Sequence, residues 1–248
     1  MSALTLRLIA SIAMLLDHIG LRLQLNHIDL GATAEILRYI GRLAFPIYVF
    51  LMVNGYQHTK NRLRYALRLA LFAVLSQIPF SLMTGRSIYD PRMNVMVTLL
   101  VGLLVIWMGD TLRKHPCGKY FFLVPALVAY GLSYFGFYHS DYGAKGIIMA
   151  VVFWYFRDHK LLITLGTLFA VWSQVLVSFG FDILYGRQTE APGKWQITQT
   201  LSLLALPLIF LYNNKPGKLP NNPIAKKAIQ YAFYLFYPVH MLLLYYFL

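Results

Sequence analysis

A single cysteine, Cys117, stands among 248 residues, which excludes an internal disulfide and any cysteine-rich metal centre. Charge is nearly as scarce. Asp, Glu, Lys and Arg together make 12% of the chain, where a soluble domain carries roughly 25%. That shortfall excludes a cytosolic globule, a disordered tail and a nucleic-acid-binding module. The chain has no glycine loop of the Walker type, no helical HExxH, no G-x-S-x-G and no cluster of acidic metal ligands. Its 7 histidines are scattered, so no metal is expected. Acidic residues are the rarest of the charges: 9 Asp and Glu face 22 Lys and Arg, a formal net charge of +13.

What fills the space is apolar. Hydrophobic residues reach 58% and aromatics 16%, with a mean hydropathy of +0.57, the composition of a chain that lives in lipid. A helix needs about 20 mostly apolar residues to cross the hydrocarbon core. Runs of that kind recur at approximately 4–23, 36–56, 63–83, 94–112, 120–138, 144–157, 161–184, 195–212 and 229–247, the sixth of them short. An all-α, polytopic membrane protein of about nine transmembrane helices is therefore expected, as a single domain over 1–248 without internal repeats. The first run carries Asp17 and His18 and lacks a small-residue cleavage site, so it reads as a retained span and not as a signal peptide. The longest polar stretch, 213–228 with Pro216, Pro220 and Pro223, reads as a linker between spans.

Loop charge sets the expected orientation. Lys60, Arg62 and Arg64 follow the second run; Arg113, Lys114 and Lys119 the fourth; Arg157 and Lys160 the sixth; Lys215, Lys218, Lys226 and Lys227 the eighth. Loops on the other side carry Arg22, Arg86, Arg92, Arg187 and Lys194, diluted by Asp29, Glu35, Asp90, Asp141 and Glu190. Basic loops stay cytoplasmic. The N-terminus is thus expected inside and Leu248 outside, with membrane lipids of a cell's inner (plasma) membrane around the chain.

An ionisable side chain at membrane depth is costly unless it is paired or faces water, which makes each one a candidate for function. Asp17 and His18 lie near the middle of the first run or just beyond it. Arg42 lies inside the outer end of the second run, and His240 lies about as deep in the last as Asp17 does in the first. The four are expected to meet in one polar cavity. Adjacent helical residues point roughly 100° apart, so Asp17 is expected to pair with Arg42 while His18 faces reacting groups. Two blander readings stay open: Asp17 and Arg42 as a packing ion pair, and His18 as a core histidine bonded to a carbonyl. Pro46 and Pro238 remove the donors that would bond the carbonyls of Arg42 and Tyr234, so both spans should kink beside the cluster.

Two more groups flank it. On the outer side stand Asn94, at the head of the fourth run, and the loop HSDYGAKG with Asp141, Tyr142 and Lys145; either an ordinary turn or substrate-binding groups fits that loop. On the cytoplasmic side the stretch NGYQHTKNRLRYALRL places His58, Lys60, Arg62, Arg64 and Arg68 near a helix end. Guanidinium groups bind phosphate oxygens in pairs, so these residues read as a nucleotide-phosphate anchor or as topology charges alone.

Taken in order, LLDHIG (15–20), GRLAFPIYVF (41–50), HT (58–59), Asn94, YGAKG (142–146) and FYPVH (236–240) resemble the TraX family of membrane acetylases, named for N-terminal acetylation of conjugative pilin. That family in turn resembles a wider group of multi-span acyltransferases, including lysosomal heparan-sulfate N-acetyltransferase and bacterial polysaccharide acylases. The resemblance implies an acyl donor, usually acetyl-CoA, entering from the cytoplasm, and an acceptor amine or hydroxyl (a pilin-like peptide N-terminus or a glycan) at the far side. By it, Asp17, His18, Arg42, Asn94, Asp141 and His240 carry over as site residues. Acyl transfer needs a base for the incoming amine or hydroxyl and donors for the developing oxyanion. His18 suits the base; His240 could replace it or carry the acyl group; Arg42 or Asn94 could hold the oxyanion. A rival reading makes the same Asp, Arg and His a proton relay in a transporter or flippase. A third makes the chain a scaffold.

Overall fold

The structure, a computed structural model of this chain, describes residues 1–116, 118, 123–137, 139–188, 191–218 and 220–248. Cys117, Lys119, Glu190 and the start of the expected fifth span lie outside the described residues. In order, the helices are α1 (Ala3–Leu25), α2 (Thr33–Gly41), α3 (Ala44–His58), α4 (Arg62–Leu75), α5 (Gln77–Met83), α6 (Val95–Arg113), α7 (Val124–Tyr134), α8 (Gly143–Tyr155), α9 (Lys160–Leu184), α10 (Lys194–Gln199), α11 (Ala205–Phe210) and α12 (Pro223–Phe247), with a 3-10 turn at Thr200–Leu204. Among the described residues the sole β pairing is an isolated bridge, Met93 with Ser140.

Among the described residues, four segments are long and apolar enough to cross a membrane: Ala3–Leu25, Thr33–His58, Val95–Arg113 and Lys160–Leu184. A fifth results if α4 and α5, bent by 42° at their junction, form one span. α7 and α8 are apolar but shorter. The chain is thus an all-helical membrane protein with fewer full-length apolar helices than the nine runs suggested, and proline explains much of the difference. Pro79 has no N–H for the carbonyl of Leu75, and α4 ends there; Pro207 has none for Leu203, and the run at 195–212 breaks into α10, the 3-10 turn and α11. Pro46 has none for Arg42, and the helix is interrupted there between α2 and α3, which together still make one apolar span. Tight bonds bridge the break, from the Arg42 amide to the Tyr39 carbonyl and from Leu43 to Ile40, each 3.2 Å. Pro238, by contrast, sits inside the uninterrupted helix α12. Asn222 caps α12, its side chain accepting from the Ile224 amide at 2.8 Å.

Glycine sets how closely α1 and α2 approach. A Cβ on Gly20 would stand 2.7 Å from the Ala34 carbonyl oxygen, and one on Gly41 would overlap the Asp17 side chain. Small residues at such crossings let two backbones meet. Behind this pair, α3, α6 and α8 supply the centre of the core, with Ile47, Leu103, Ile106, Met149 and Ala150 fully or almost fully buried. α12 packs against α1 and α5, which brings the two ends of the chain together.

Gly41→Ala should therefore lower stability by about 1–3 kcal/mol, the usual cost of overpacking. Gly131→Ala, whose Cβ meets nothing within 4 Å in α7, should raise it by about 0.5–1 kcal/mol through helix propensity. Thermal unfolding of the detergent-solubilised variants measures both.

Candidate active site

The α1–α2 crossing places Asp17 between two guanidiniums. Arg38 Nη1 donates to Asp17 Oδ2 at 2.8 Å, and Arg42 Nη2 donates to Asp17 Oδ1. Arg38 and Arg42 are one helical turn apart and so share a face. Arg42 is turned inward further by a bond from its Nε to the Arg38 carbonyl at 3.1 Å. The indole of Trp195, on α10, lies across both, 5.1 Å from the Arg38 guanidinium and 4.7 Å from that of Arg42, at cation–π distance. Both Asp17 oxygens are occupied. That leaves Asp17 to hold the arginines in place and not to act as a base.

His18 faces away from this pair toward α12. Its Nδ1 lies 2.7 Å from His240 Nε2, and His240 Nδ1 lies 2.6 Å from the Phe236 carbonyl oxygen. The two imidazole planes are 5° from parallel with centroids 4.9 Å apart, the separation of rings meeting edge to edge through their nitrogens and not face to face. Tautomers follow from the chemistry of the partners. A carbonyl only accepts, so the proton of neutral His240 sits on Nδ1 and its Nε2 is bare. His18 must then donate from Nδ1. Its Nε2 keeps a lone pair with no protein partner among the described residues, and it is not sealed off from the cavity that the ring lines. The order Phe236 carbonyl, His240, His18 points in one direction, with His18 as the terminal proton acceptor.

That cavity holds about 590 Å³ and is lined by Asp17, His18, Arg38, Arg42, Arg86, Asp141, Tyr142, Lys145 and Trp195 among others. Its floor is set by the loop before α8. The Met93 amide donates to the His139 carbonyl at 2.8 Å and the Asp141 amide to the Met93 carbonyl at 3.0 Å, while Thr98 Oγ1 donates to Ser140 Oγ at 2.7 Å. Asp141 and Tyr142 thereby face Arg42. Burial pushes the Tyr142 hydroxyl up to about 12, while the Asp141 carboxylate stays exposed on the cavity wall. Tyr142 thus remains a proton donor, its ring stacked on Phe45 at 3.5 Å. Lys145 Nζ donates to Gln196 Oε1 at 3.0 Å.

Two smaller cavities continue from the same wall. One of about 50 Å³ shares Asp17, His18, Asp141 and Tyr142 with the large cavity. The next, of about 100 Å³, shares Tyr48, Met96, Leu99 and Phe233 with the second and reaches Arg7, Tyr65 and Gln230. Arg68 stacks on Tyr65 at 5.7 Å and keeps a buried Nε without a partner. The other residues singled out as a phosphate anchor are dispersed. His58 Nδ1 bonds the Asn54 carbonyl at 2.8 Å, Arg62 pairs with Asp110 at 3.0 Å, and Lys60 and Arg64 are exposed.

Asn94 departs from its expected place. Its Oδ1 caps α6 by accepting from the Met96 amide at 3.0 Å, and its Nδ2 donates to the Ala73 carbonyl at 2.7 Å and to Gln77 Oε1 at 2.8 Å. Fully buried and fully engaged, it lines neither the large cavity nor the next one and serves α6 instead of an oxyanion. Sequence reasoning missed Arg38, Trp195 and the cavity position of Arg86. The turn-apart spacing to Arg42 was a usable signal for Arg38; nothing local marked Trp195.

Asp17→Asn leaves two largely buried guanidiniums without their counterion and should cost about 3–5 kcal/mol. Unfolding midpoints of the detergent-solubilised variant at neutral pH provide the measurement.

Comparison with known proteins assigns the family. The TraX protein family profile matches residues 2–247. The "Probable fimbrial assembly protein FimC, serogroup H1" of Dichelobacter nodosus is 30% identical over 254 residues, covering 98% of this chain and 94% of that protein. No solved structure matches. With a match running from one end of the chain to the other, the protein belongs to the TraX family.

Proposed function

We propose that this protein is an acyltransferase that moves an acetyl group from cytoplasmic acetyl-CoA to an amine at the outer side of the inner membrane, with His18 as general base. The observation that carries the reading is the one-way imidazole pair: His240, fixed by the Phe236 carbonyl, orients His18 so that a bare Nε2 remains at the cavity. A histidine held by a second hydrogen-bonded group is how protein sites set the tautomer of a base. In the step itself, His18 Nε2 takes a proton from the acceptor nitrogen as that nitrogen bonds to the thioester carbonyl carbon. The carbon–sulfur bond then breaks, and the departing thiolate recovers the proton. Tyr142 and Arg42 are the donors for the oxyanion.

The smaller cavities support a route for the donor. They lead from His18 toward Arg7, Tyr65 and Gln230, near Arg68 with its unpartnered Nε, at the end that loop charge assigns to the cytoplasm. The role of phosphate anchor accordingly narrows to Arg7 and Arg68, with Lys60 and Arg64 as a screened outer field. The similarity to a protein named for fimbrial assembly favours a peptide amine over a glycan hydroxyl as acceptor.

Purified protein and labelled acetyl-CoA test this. His18→Ala should reduce turnover by about 100-fold or more, the usual contribution of a general base. His240→Ala, which removes an orienting partner, should reduce it by about 10–100-fold and shift the pH profile. Wild-type turnover in both variants, or proton-gradient-driven solute movement without any CoA requirement, overturns the reading.

A further inference from the structure

The large cavity has an unbalanced charge. Arg38, Arg42, Arg86 and Lys145 line it, against Asp17 and Asp141. Asp17 is consumed by two of the arginines. Arg86 makes no ion pair among the described residues; Asp90, the nearest acid in sequence, is held by Arg92 at 2.9 Å, and the Arg86 guanidinium rests on Phe80 at 5.6 Å. Lys145 donates only to the neutral Gln196 amide. A cavity of about 590 Å³ is the size of a small-ligand cleft, and this one carries two cations without an acidic partner in direct contact.

Such a field acts on an incoming amine in two ways. It disfavours the ammonium form, so the amine reaches His18 more readily as the neutral nucleophile. It also repels a peptide N-terminus unless the peptide brings negative charge of its own. From this we infer that the acceptor is a peptide carrying a carboxylate within its first few residues, received by Arg86 and Lys145 while the terminal amine reaches His18. The inference rests on the acyl-transfer reading for the identity of the amine, but the anion site stands on the cavity itself.

Binding of synthetic peptides with free N-termini to the detergent-purified protein tests it, using pairs that differ only by Glu or Gln at one of residues two to five, with acetyl transfer measured in parallel. At least one Glu peptide should bind about tenfold tighter than its Gln counterpart, and the preference should fade with added salt. Arg86→Gln and Lys145→Gln should each reduce that preference to about threefold or less, and Arg86→Lys should restore it, which separates lost charge from lost folding. Equal binding of every Glu and Gln pair overturns the inference, whether or not transfer occurs. So does competition by a uronate-bearing oligosaccharide in the absence of any Glu preference. Charge-dependent binding without CoA-dependent transfer instead supports the anion site and overturns only the acyltransfer reading.

Discussion

Asp17 shared between Arg38 and Arg42 is the contact on which the rest of the site depends. Charged groups inside an apolar bundle are costly, and these three satisfy one another at the helix crossing beside the cavity they line. The crossing must then be close, and Gly20 and Gly41 make it close. Because Asp17 is fixed in one direction, its neighbour His18 is turned about 100° away and meets α12. The electrostatics of one pair thereby aim the imidazole of the other.

Helices are divided at Arg42 and Leu43, at Ser76 and within 195–212, each time where a proline lacks the N–H that would bond the preceding turn. The large cavity is lined from α1, α2, α5, α7, α8, α9 and α10 and from the segments around Arg42, Arg86 and Asp141. Its polar lining is the price of a wet site inside an apolar bundle.

The relay from Phe236 through His240 to His18 gives the site direction. Either histidine alone would be an ambiguous acid or base. Joined edge to edge and anchored on a carbonyl, they have one arrangement of protons when neutral, and only the terminal nitrogen is open. The arrangement joins the first and last helices of the chain, so the site forms only when the whole bundle closes.

Composition and periodicity settled much by themselves: an apolar helical membrane chain, the meeting of Asp17 with Arg42 and of His18 with the last helix near one cavity, and the break beside Arg42 where Pro46 lacks an N–H. These are local consequences of hydropathy, of rise per residue and of a missing N–H. Tertiary structure decided the remainder. Asn94 and Asp141 are both polar residues beside a helix start in sequence, yet one is consumed by Ala73, Gln77 and Met96 while the other faces the cavity. Arg38 and Arg86 carry the same charge as any rim arginine; only the α1–α2 crossing and the cavity distinguish them. Which nitrogen of each histidine carries its proton could not be read from residue types, because a tautomer is fixed by the partner across the interface, and His18 and His240 are 222 residues apart.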